Sequence, residues 1–457
     1  MSQSTATKSK KKEIAKGITS ISVNGYKSLY EECCIEVRPL TILAGANSSG
    51  KSSIMQPLLM LKQTLEATYD PGALLLNGPN VKFTSATQLF SKVFGRERIT
   101  EFTIYIEVEN NESIKNTFIK YPRKAIDVLK MEYEAGGKKL VISPDMLPGD
   151  VIKILPEPYL AFYELAKEVE ALQNQSRWII ERNRCFLEFA LLMGKKTMTP
   201  SFLQSLNPTS PSETFGRYIS QTIHVPGLRG NPERNYKTTA IGSEFPGTFE
   251  NYVASVINHW QKNKDKRLQD LGDILEALGL TWKVEAKQVD DTQVELRVGR
   301  LPRHSSTKSD VVSIADVGFG VSQTLPVIVA LLVAEPGQLV YIEQPEIHLH
   351  PRAQAALAEV FAYAANRGVK VVIETHSALL LLAVQSLVAE GKLSPQLVKL
   401  HWFTRKEDGI TKVSSTDLDD TGAFGDWPED FGDVSLSLES RYLNAAEARL
   451  FNNSHGN

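Results

Sequence analysis

The sequence predicts an α/β protein in which a mixed or parallel sheet presents a phosphate-binding loop. Residues 40–61 have the pattern of a strand, a G-x-x-x-x-G-K-S loop and a helix. From Val311 to Val388, apolar strand patterns alternate with helical ones, which is typical of a parallel sheet covered by helices. One of these strands, Val340–Ile342, ends directly in the carboxylate of Glu343. Together these features indicate a nucleotide-binding site at one edge of the sheet.

The loop from Gly45 to Ser52 carries the strongest signal. Its glycines allow successive backbone N–H groups to point at phosphate oxygens, and the helix that follows adds its positive N-terminal end. In this pattern Lys51 reaches the β- and γ-phosphates and Ser52 ligates Mg²⁺. A Gly/Ser-rich turn that only joins a strand to a helix is the alternative, but the complete spacing argues against it. We therefore predict ATP and Mg²⁺ as cofactors, with these nucleotide-binding residues: Gly45, Asn47, Ser49, Gly50, Lys51, Ser52 and Ser53.

The acidic end of the strand Val340–Ile342 supplies the metal-side carboxylate that a phosphate loop lacks. A run of apolar residues that ends in a carboxylate places an acid at the carboxyl end of a buried strand, beside the metal. Glu343 is the predicted metal-side acid, with Ser52 as the other metal ligand. An apolar run followed by glutamate is common in α/β proteins, so this prediction depends on the phosphate loop earlier in the chain.

Composition narrows the class of protein. The chain has 457 residues, enough for two or three domains, with 42% hydrophobic and 23% charged residues and a formal net charge of −2. This charge gives no general attraction to nucleic acid, and no apolar run reaches the roughly 20 residues that span a bilayer, so no membrane partner is expected. The three cysteines offer neither a disulfide framework nor a metal-ligand spacing, and we expect a reducing, cytoplasmic location.

Changes in periodicity along the chain predict an organisation in five parts. Period-two patterns after residue 100 predict an antiparallel β subdomain, and helical periodicity between Pro156 and Leu206, including Ile179–Leu191, predicts an inserted helical lobe. The predicted divisions are a disordered basic tail over 1–17, the first half of a nucleotide-binding head over 18–150, the helical or mixed lobe over 151–300, the second half of the head over 301–405, and a small C-terminal segment over 406–457.

Two weaker motifs flank the acidic strand. A glycine-rich turn with Gly318, Gly320 and Ser322 opens a helix and offers a second set of N–H groups to an anion. A simple helix cap is the alternative for this turn. His376 closes the next strand, where an imidazole can hydrogen-bond a γ-phosphate or the attacking water, although an isolated histidine is more often structural. The order of phosphate loop, glycine turn, acidic strand and histidine supports a functional role for both motifs.

In the order and the residues of these motifs, the chain resembles the ABC-type P-loop NTPase heads of the RecF, SMC and OLD groups, and especially a bacterial branch of RecF-like AAA-family ATPases. The resemblance is strong over 18–61 and 311–433, and these segments carry it: Tyr26–Ser28, Val317–Gln323, Glu343–Pro351, Thr375–Ser377 and Gly422–Phe431. It implies a head that forms a homodimer or a higher homo-oligomer around ATP. The phosphate loop of one subunit then faces Gly318, Gly320 and Ser322 of another subunit, which act in trans.

The resemblance also implies roles for residues outside the loop. Tyr26 and Lys27 are expected beside the nucleoside, and Gln88 is expected to contact the metal or a water molecule. His348 and His350 follow the acidic strand two residues apart. We do not expect this pair to bind a metal, because no third ligand is evident.

One departure from the resemblance concerns the chemical step. The glutamate that polarises the attacking water in such heads is replaced here by Gln344, and an amide can orient water but cannot accept its proton. Hydrolysis is therefore expected to be slow, or Glu346 or Glu343 takes over this role. The predicted catalytic residues are Glu343, Gln344, Glu346 and His376.

Three functions are compatible with these features. By its resemblance, the chain is an ATPase that converts ATP and water to ADP and phosphate and acts as a sensor and scaffold for a separate effector, a nuclease, in bacterial anti-phage defence. The second function is a DNA-repair clamp that binds nucleic acid directly through a basic channel. Arg229, Arg234 and Lys237 are candidates for phosphate contacts, although scattered surface charge explains them equally well. The third is an ATP-binding scaffold with negligible turnover, which Gln344 favours.

Overall fold

The structure is a computed structural model that describes residues 17–167, 176–193, 196–198, 210–305, 310–425 and 440–445. The predicted basic tail before residue 17 lies outside the described residues, and so does the part of the Gly422–Phe431 motif from Asp426 onward.

The strand–loop–helix context predicted for the phosphate loop is confirmed, and the elements in chain order are as follows. The strands are β1 (Ile18–Asn24), β2 (Cys33–Glu36), β3 (Leu40–Gly45), β4 (Glu101–Val108), β5 (Glu112–Lys120), β6 (Ile126–Ala135), β7 (Lys138–Ile142), β8 (Ser176–Asn183), β9 (Phe186–Met193), β10 (Lys196–Met198), β11 (Ile223–Val225), β12 (Tyr236–Lys237), β13 (Val284–Gln288), β14 (Gln293–Gly299), β15 (Val311–Ser313), β16 (Leu339–Glu343), β17 (Lys370–Thr375), β18 (Val398–Arg405) and β19 (Thr411–Thr416). The α-helices are α1 (Lys51–Glu66), α2 (Pro148–Lys153), α3 (Glu157–Lys167), α4 (Pro211–Ser220), α5 (Val253–Asn263), α6 (Arg267–Ala277), α7 (Phe319–Val333), α8 (Pro351–Asn366) and α9 (Ala378–Ala389). Within the described part of the chain, no helix is both long enough and apolar enough to span a bilayer.

The sheet that carries the phosphate loop has its strands in the spatial order β11, β16, β17, β3, β18 and β19. The first five run parallel, and β19 pairs antiparallel with β18. Strand β3 is fully buried, as expected for a central strand covered on both faces. Strand β17 separates β3 from β16, so that Glu374 lies opposite Glu343 on one side and Leu43 on the other. The carboxyl ends of these strands bring the loop and two glutamates to one edge of the sheet.

Each face of this sheet contributes to its own hydrophobic core. Successive strand residues point to opposite faces. Val340 and Ile342 of β16 therefore pack into a core with helices α5 to α9. Leu339 and Tyr341 of the same strand pack into a second core with α1 and the antiparallel strands. Burying one large apolar side chain stabilises a fold by about 1.5–3 kcal/mol, so the two cores together hold the strand ends of the site firmly in register.

The predicted antiparallel β subdomain is confirmed. Its strands lie in the order β2, β1, β4, β5, β6 and β7, and every neighbouring pair is antiparallel. The turn between β6 and β7 is formed by Gly136 and Gly137, which both take positive φ angles, +56° and +76°. These are the conformations that a tight hairpin of right-handed twist requires.

The predicted inserted lobe is only partly helical. Helices α3 to α6 belong to it, but the helical prediction for Ile179–Leu191 is wrong, because these residues lie in the antiparallel pair β8 and β9. The strands are joined by Arg184 and Cys185, and Arg184 has a left-handed φ of +53°. Trp178 and Ile180 are buried on one face of β8. This alternation with a period of two was present in the sequence, and cross-strand pairing favoured it over the helical spacing.

The strand predicted at Val311–Ile314 also belongs to a different sheet from the one expected. The alternating pattern that begins at Val311 predicts a strand of the parallel sheet, but β15 pairs antiparallel with β14, beside β12 and β13. Its three residues are too few to show a period, so the sequence could not distinguish the two sheets. A 3₁₀ turn, Ile314–Asp316, then leads from this sheet to the glycine turn before α7.

Candidate functional site

The phosphate-binding loop has a shape that requires glycine at two positions. Gly45 has a φ of +142°, and a Cβ atom there would lie 2.3 Å from the carbonyl oxygen of Phe403 on β18. Gly50, the N-cap of α1, has a φ of +102°, and a Cβ atom there would lie 2.5 Å from Oγ1 of Thr411 on β19. Strands β18 and β19 therefore form one wall of the loop.

Lys51, the first residue of α1, folds back over the loop. Its Nζ atom donates to the carbonyl oxygens of Gly45 (3.0 Å) and Ala46 (2.8 Å), and the residue is only 3% exposed. Burial lowers the pKa of Lys51, and the carboxylates of Glu374 and Glu346 oppose this shift. The ammonium group can exchange its carbonyl partners for phosphate oxygens, because a charged acceptor gives the stronger hydrogen bond.

Ser52 contacts a carboxylate that sequence analysis missed. Its Oγ atom donates to Oε1 of Glu374 over 2.9 Å, and the hydroxyl of Tyr341 donates to Oε2 over 2.9 Å. Burial raises the pKa of Glu374, and the neighbouring charge of Glu343 adds to this effect. The signal was in the sequence, since Glu374 lies near the end of an apolar strand as Glu343 does. With its proton held by Glu374, the Ser52 oxygen presents its lone pairs to a metal.

Glu343, the predicted metal-side acid, makes its hydrogen bonds elsewhere. Its Oε1 lies 3.2 Å from Nε2 of His224, and its Oε2 accepts from the backbone N–H of Gly227 over 3.2 Å. Burial alone would raise the pKa of Glu343, but the contacts with His224, the N–H of Gly227 and the charge of Arg229 together outweigh burial, and the pKa is lowered. Glu343 is therefore an ionised carboxylate one strand further from the loop. Glu374 rather than Glu343 contacts Ser52, and the role of Glu343 as a metal ligand stays a prediction.

Glu346 and His376 lie together beside the loop. Oε1 of Glu346 accepts from the hydroxyl of Thr375 and from the backbone N–H of His376, both over 2.8 Å. Oε2 of Glu346 is buried and has no hydrogen-bond partner among the described residues. Burial, together with the charge of Lys51, lowers the pKa of His376, whose imidazole lies at the backbone of Gly45. The fold thus brings two predicted catalytic residues to the loop, with the histidine neutral at pH 7.

Gln344 begins the segment that follows β16. It takes a left-handed conformation with a φ of +43°, and its backbone N–H donates to the carbonyl oxygen of Glu374 over 2.7 Å. Arg229 donates to the carbonyl oxygens of Glu343 (2.7 Å) and Gln344 (3.2 Å). Arg229 is only 7% exposed, so the interpretation of this residue as scattered surface charge is wrong. Instead, Arg229 and Glu374 fix the backbone at the end of the acidic strand.

A cavity of about 490 Å³ opens over the loop. Its lining includes four cations and one carboxylate: Lys27, Lys51, Lys92, Arg405 and Glu374. This excess of positive charge suits a polyphosphate. The predicted loop residues in its lining are Ser49, Gly50, Lys51, Ser52 and Ser53. Gln88 also lines the cavity, with its Oε1 accepting from the backbone of Thr84 and Ser85, whereas Asn47 is exposed on the loop and is not part of the lining.

Of the two residues expected beside the nucleoside, only Lys27 lines this cavity. Its Nζ donates to Oε1 of Gln56 over 2.5 Å and lies 4.6 Å from the ring centroid of Phe83. Tyr26 is fully buried, packs against Phe102 and donates its hydroxyl to the same Oε1 over 3.1 Å. The prediction of a nucleoside contact is therefore wrong for Tyr26, which supports Gln56 from within the core.

The glycine turn lies outside this cavity. Gly318 caps α7, a Cβ atom at Gly320 would lie 3.2 Å from Cδ2 of Leu280, and Ser322 donates to the carbonyl oxygen of Phe319 over 3.1 Å. Ser322 lines a second cavity, of about 510 Å³, which shares no lining residue with the first. Within one chain the turn does not complete the phosphate-loop site, and its action in trans stays a prediction.

The oxygen atoms at the end of the sheet fit Mg²⁺. Ser52 and Glu374 present a hydroxyl and a carboxylate side by side, with Glu343 on the next strand. Mg²⁺ takes oxygen ligands and usually keeps several waters and substrate phosphates, so that one or two protein ligands suffice. Among the described residues, no group of three or more His, Cys, Asp or Glu that could hold a metal occurs. These residues suit a metal that arrives with a nucleotide.

Comparison with known protein families matches both halves of the chain. Residues 17–190 match the model of an AAA ATPase domain. Residues 195–383 match the model of an AAA domain described as a putative AbiEii toxin of a type IV toxin–antitoxin system. The phosphate loop lies in the first match, and the acidic strand and His376 lie in the second.

Individual proteins resemble the chain more distantly. The Old nuclease of Escherichia phage P2 is 21% identical over 440 residues, which cover 88% of this chain and 64% of the nuclease. The chain therefore spans less than two thirds of the length of that relative. Among solved structures, an Smc head bound to the C-winged helix domain of ScpA has a TM-score of 0.47 at 12% identity, with 88% of this chain and 98% of that chain covered. The SMC head domain from Thermotoga maritima has a TM-score of 0.40 at 8% identity, with 88% and 100% covered.

The family matches account for the geometry of the site. Both halves match AAA models, and the relative found among curated proteins belongs to the OLD group that the motif order resembles. The loop, the two strand-end glutamates and the histidine lie at one edge of a parallel sheet. Over both halves the chain is therefore similar to AAA ATPase domains, and over most of its length it is similar to a nuclease of the OLD group.

Proposed function

We propose that the protein binds ATP with Mg²⁺ and hydrolyses it slowly, at a site that a second copy of the chain completes. The observation that carries this proposal is the contact between Ser52 and Glu374 beside the buried ammonium of Lys51. A hydroxyl that can ligate a metal, a carboxylate that orients it and a phosphate-binding cation converge there. The cationic lining of the cavity above them adds the charge that a triphosphate requires.

The chain's own residues divide the chemistry as follows. Lys51 binds the β- and γ-phosphates, while Ser52 and Glu374 would hold Mg²⁺, which neutralises charge on the phosphate oxygens when bound. Gln344 orients the attacking water through its amide. Glu346 is the better candidate for accepting the proton of that water, because both oxygens of Glu343 are engaged whereas Oε2 of Glu346 has no partner among the described residues.

The biological role that we propose is that of a sensor and scaffold. ATP-driven association of two heads would regulate a separate effector, a nuclease, in bacterial anti-phage defence. The similarity to a phage protein named a nuclease supports a connection with nuclease function. The alternative of a DNA clamp loses support, because Arg229 is buried and Arg234 pairs with Asp316 over 2.7 Å. A scaffold with negligible turnover stays a second candidate, because Gln344 occupies the position of the expected glutamate.

The first experiment measures ATP turnover against protein concentration, with Lys51→Ala as the control. A specific rate that rises with concentration and is lost in Lys51→Ala supports a composite, working ATPase. ATP binding without turnover above the Lys51→Ala level rejects hydrolysis and favours the ATP-held scaffold.

Mixing two inactive variants tests whether the site is composite. Lys51→Ala removes the phosphate-binding cation, and Ser322→Arg blocks the glycine turn. If the turn acts in trans, a mixed dimer contains one intact site, and an equimolar mixture should regain about a quarter of the wild-type rate. A mixture as inactive as its components contradicts the trans arrangement.

A further inference from the structure

His224 connects the acidic strand to a loop after the phosphate-loop helix. It lies on β11 and is 1% exposed, with its ring stacked on Tyr341 at a centroid distance of 5.5 Å and an interplanar angle of 12°. Nε2 lies 3.2 Å from Oε1 of Glu343, and Nδ1 lies 3.1 Å from Nδ2 of Asn80. No motif in the sequence pointed to this histidine.

The hydrogen bonds determine which nitrogen of His224 carries the proton. Nδ2 of Asn80 also donates to the carbonyl oxygen of Gly247 over 3.0 Å, and a carbonyl oxygen can only accept. That atom of Asn80 is therefore the amide nitrogen, and its second hydrogen points to Nδ1 of His224. Since Nδ1 accepts, Nε2 of a neutral imidazole bears the proton and donates it to Glu343.

Asn80 is itself held by the helix that follows the phosphate loop. Oε1 of Gln63, on α1, accepts from the backbone N–H groups of Asn80 (3.2 Å) and Val81 (3.0 Å). Nε2 of Gln63 donates to the carbonyl oxygens of Leu75 (2.6 Å) and Val81 (3.2 Å). An unbroken chain of polar contacts thus runs from α1 through Asn80 and His224 to Glu343.

We propose that His224 is a positioning residue, whose Nε2–H group fixes one carboxylate oxygen of Glu343 while the N–H of Gly227 fixes the other. Glu343 is thereby held in one orientation at the end of β16, one strand from Glu374. Hydrogen bonds that orient a metal-site carboxylate in this way change metal affinity and activity by about 10- to 100-fold. This inference rests on the proposed function only for its catalytic consequence, since the hydrogen bonds stand without it.

Two substitutions of His224 distinguish a positioning role from a purely structural one. His224→Leu removes the donor, and we expect kcat to fall about 10- to 100-fold and the half-saturating Mg²⁺ concentration to rise, with KM for ATP nearly unchanged. His224→Gln keeps an amide donor near the place of Nε2, and it should recover most of kcat. His401→Gln, at a second buried histidine on β18, is the matched control and should leave kcat unchanged. A folded His224→Leu protein with wild-type kcat and Mg²⁺ dependence overturns the proposal.

A readout that does not depend on turnover is the ¹⁵N NMR spectrum of the histidine side chains, assigned by the signal that His224→Gln removes. The wild-type protein should show His224 protonated at Nε2 and unprotonated at Nδ1. Asn80→Asp replaces the donor by an acceptor and should bring a proton to Nδ1. A wild-type His224 protonated at Nδ1 alone overturns the proposal, even if His224→Leu fails to fold. If the wild-type protein turns over no ATP, the proposed function fails, while this tautomer still tests the inference.

Discussion

Ser52 and Glu374, which are 322 residues apart in the chain, are joined by a 2.9 Å hydrogen bond. The bond forms because β17, which carries Glu374, lies directly beside the phosphate-loop strand β3, whereas β16 with Glu343 lies one strand further away. A serine hydroxyl that donates to a carboxylate keeps its lone pairs oriented for a cation. We therefore expect Glu374 to prepare Ser52 for Mg²⁺, with Glu343 one strand further from the loop.

Replacing Glu374 by glutamine tests this assignment. The amide oxygen can still accept from Ser52, but the negative charge beside the metal is lost. We expect kcat to fall by about 100-fold, with a higher Mg²⁺ requirement, because a preorganised charge at such a site contributes several kcal/mol. The fold should not weaken, since burial already raises the pKa of Glu374 and the charged form is disfavoured there. Steady-state turnover at several Mg²⁺ concentrations, with thermal unfolding in parallel, provides the measurement.

Glu359→Gln is the matched control for this substitution, because Glu359 is exposed on α8. It should leave both turnover and Mg²⁺ dependence unchanged. If Glu374→Gln hydrolyses ATP at the wild-type rate, the metal-side acid is Glu343, as the sequence alone suggested.

Gln344→Glu should increase turnover. The residue follows the acidic strand at the position where the resemblance places a glutamate, and a carboxylate can accept the proton that an amide cannot. We expect kcat to rise by at least about tenfold, because a general base contributes roughly 10²- to 10⁴-fold. Gln344→Asn is the control, since asparagine tolerates the left-handed φ of +43° but is shorter. An unchanged rate in Gln344→Glu places the water elsewhere and favours Glu346 as the proton acceptor.

The local parts of the site could be predicted from the sequence, and the parts that depend on strand order could not. The loop from Gly45 to Ser52 has its ligands within eight residues, so spacing alone describes it. Glu374 has the same apolar run before it as Glu343, and only the order β16, β17, β3 shows which glutamate meets Ser52. Sequence patterns also do not distinguish a buried polar residue from an exposed one, which is why Tyr26 was misplaced.

The same difference between local patterns and contacts of distant elements explains which predictions of the fold were wrong. Long periodic elements such as α8 and β4 were predicted correctly. Their burial pattern repeats over several helical turns in α8 and over several alternations of buried and outward-facing residues in β4. Strands β8 and β9 were predicted as helix, since a dense run of apolar residues satisfies both periods and only cross-strand partners decide between them. Arg229 was predicted at the surface because a cation is rarely buried, and its carbonyl partners come from distant elements.

Gly45→Ala should destabilise the fold as well as abolish ATP binding. The new Cβ atom would lie 2.3 Å from the carbonyl oxygen of Phe403, which is backbone and cannot rotate away, at a φ of +142°. We expect a loss of about 3 kcal/mol in stability, seen as a lower thermal unfolding midpoint. Gly149→Ala is the control, because nothing lies within 4 Å of its Cβ position and its φ is unstrained. Equal unfolding midpoints for the two variants contradict the close approach of β18 to the loop.

The attachment of β18 to the rest of the sheet should weaken in acid. His401 on β18 donates from Nε2 to the carbonyl oxygen of Glu36 (2.9 Å) and lies 2.7 Å from Oγ of Ser415. Burial lowers the pKa of His401 from 6.5 to about 4, so the folded protein keeps it neutral while the unfolded chain protonates it. Its stabilising contribution is complete above pH 6.5 and is lost as the pH falls towards 4, which amounts to about 3 kcal/mol. Thermal unfolding midpoints measured between pH 7 and 4.5 should therefore fall more steeply for the wild-type protein than for His401→Gln, because glutamine has no proton to gain. Parallel slopes for the two proteins would show that His401 is not the responsible group.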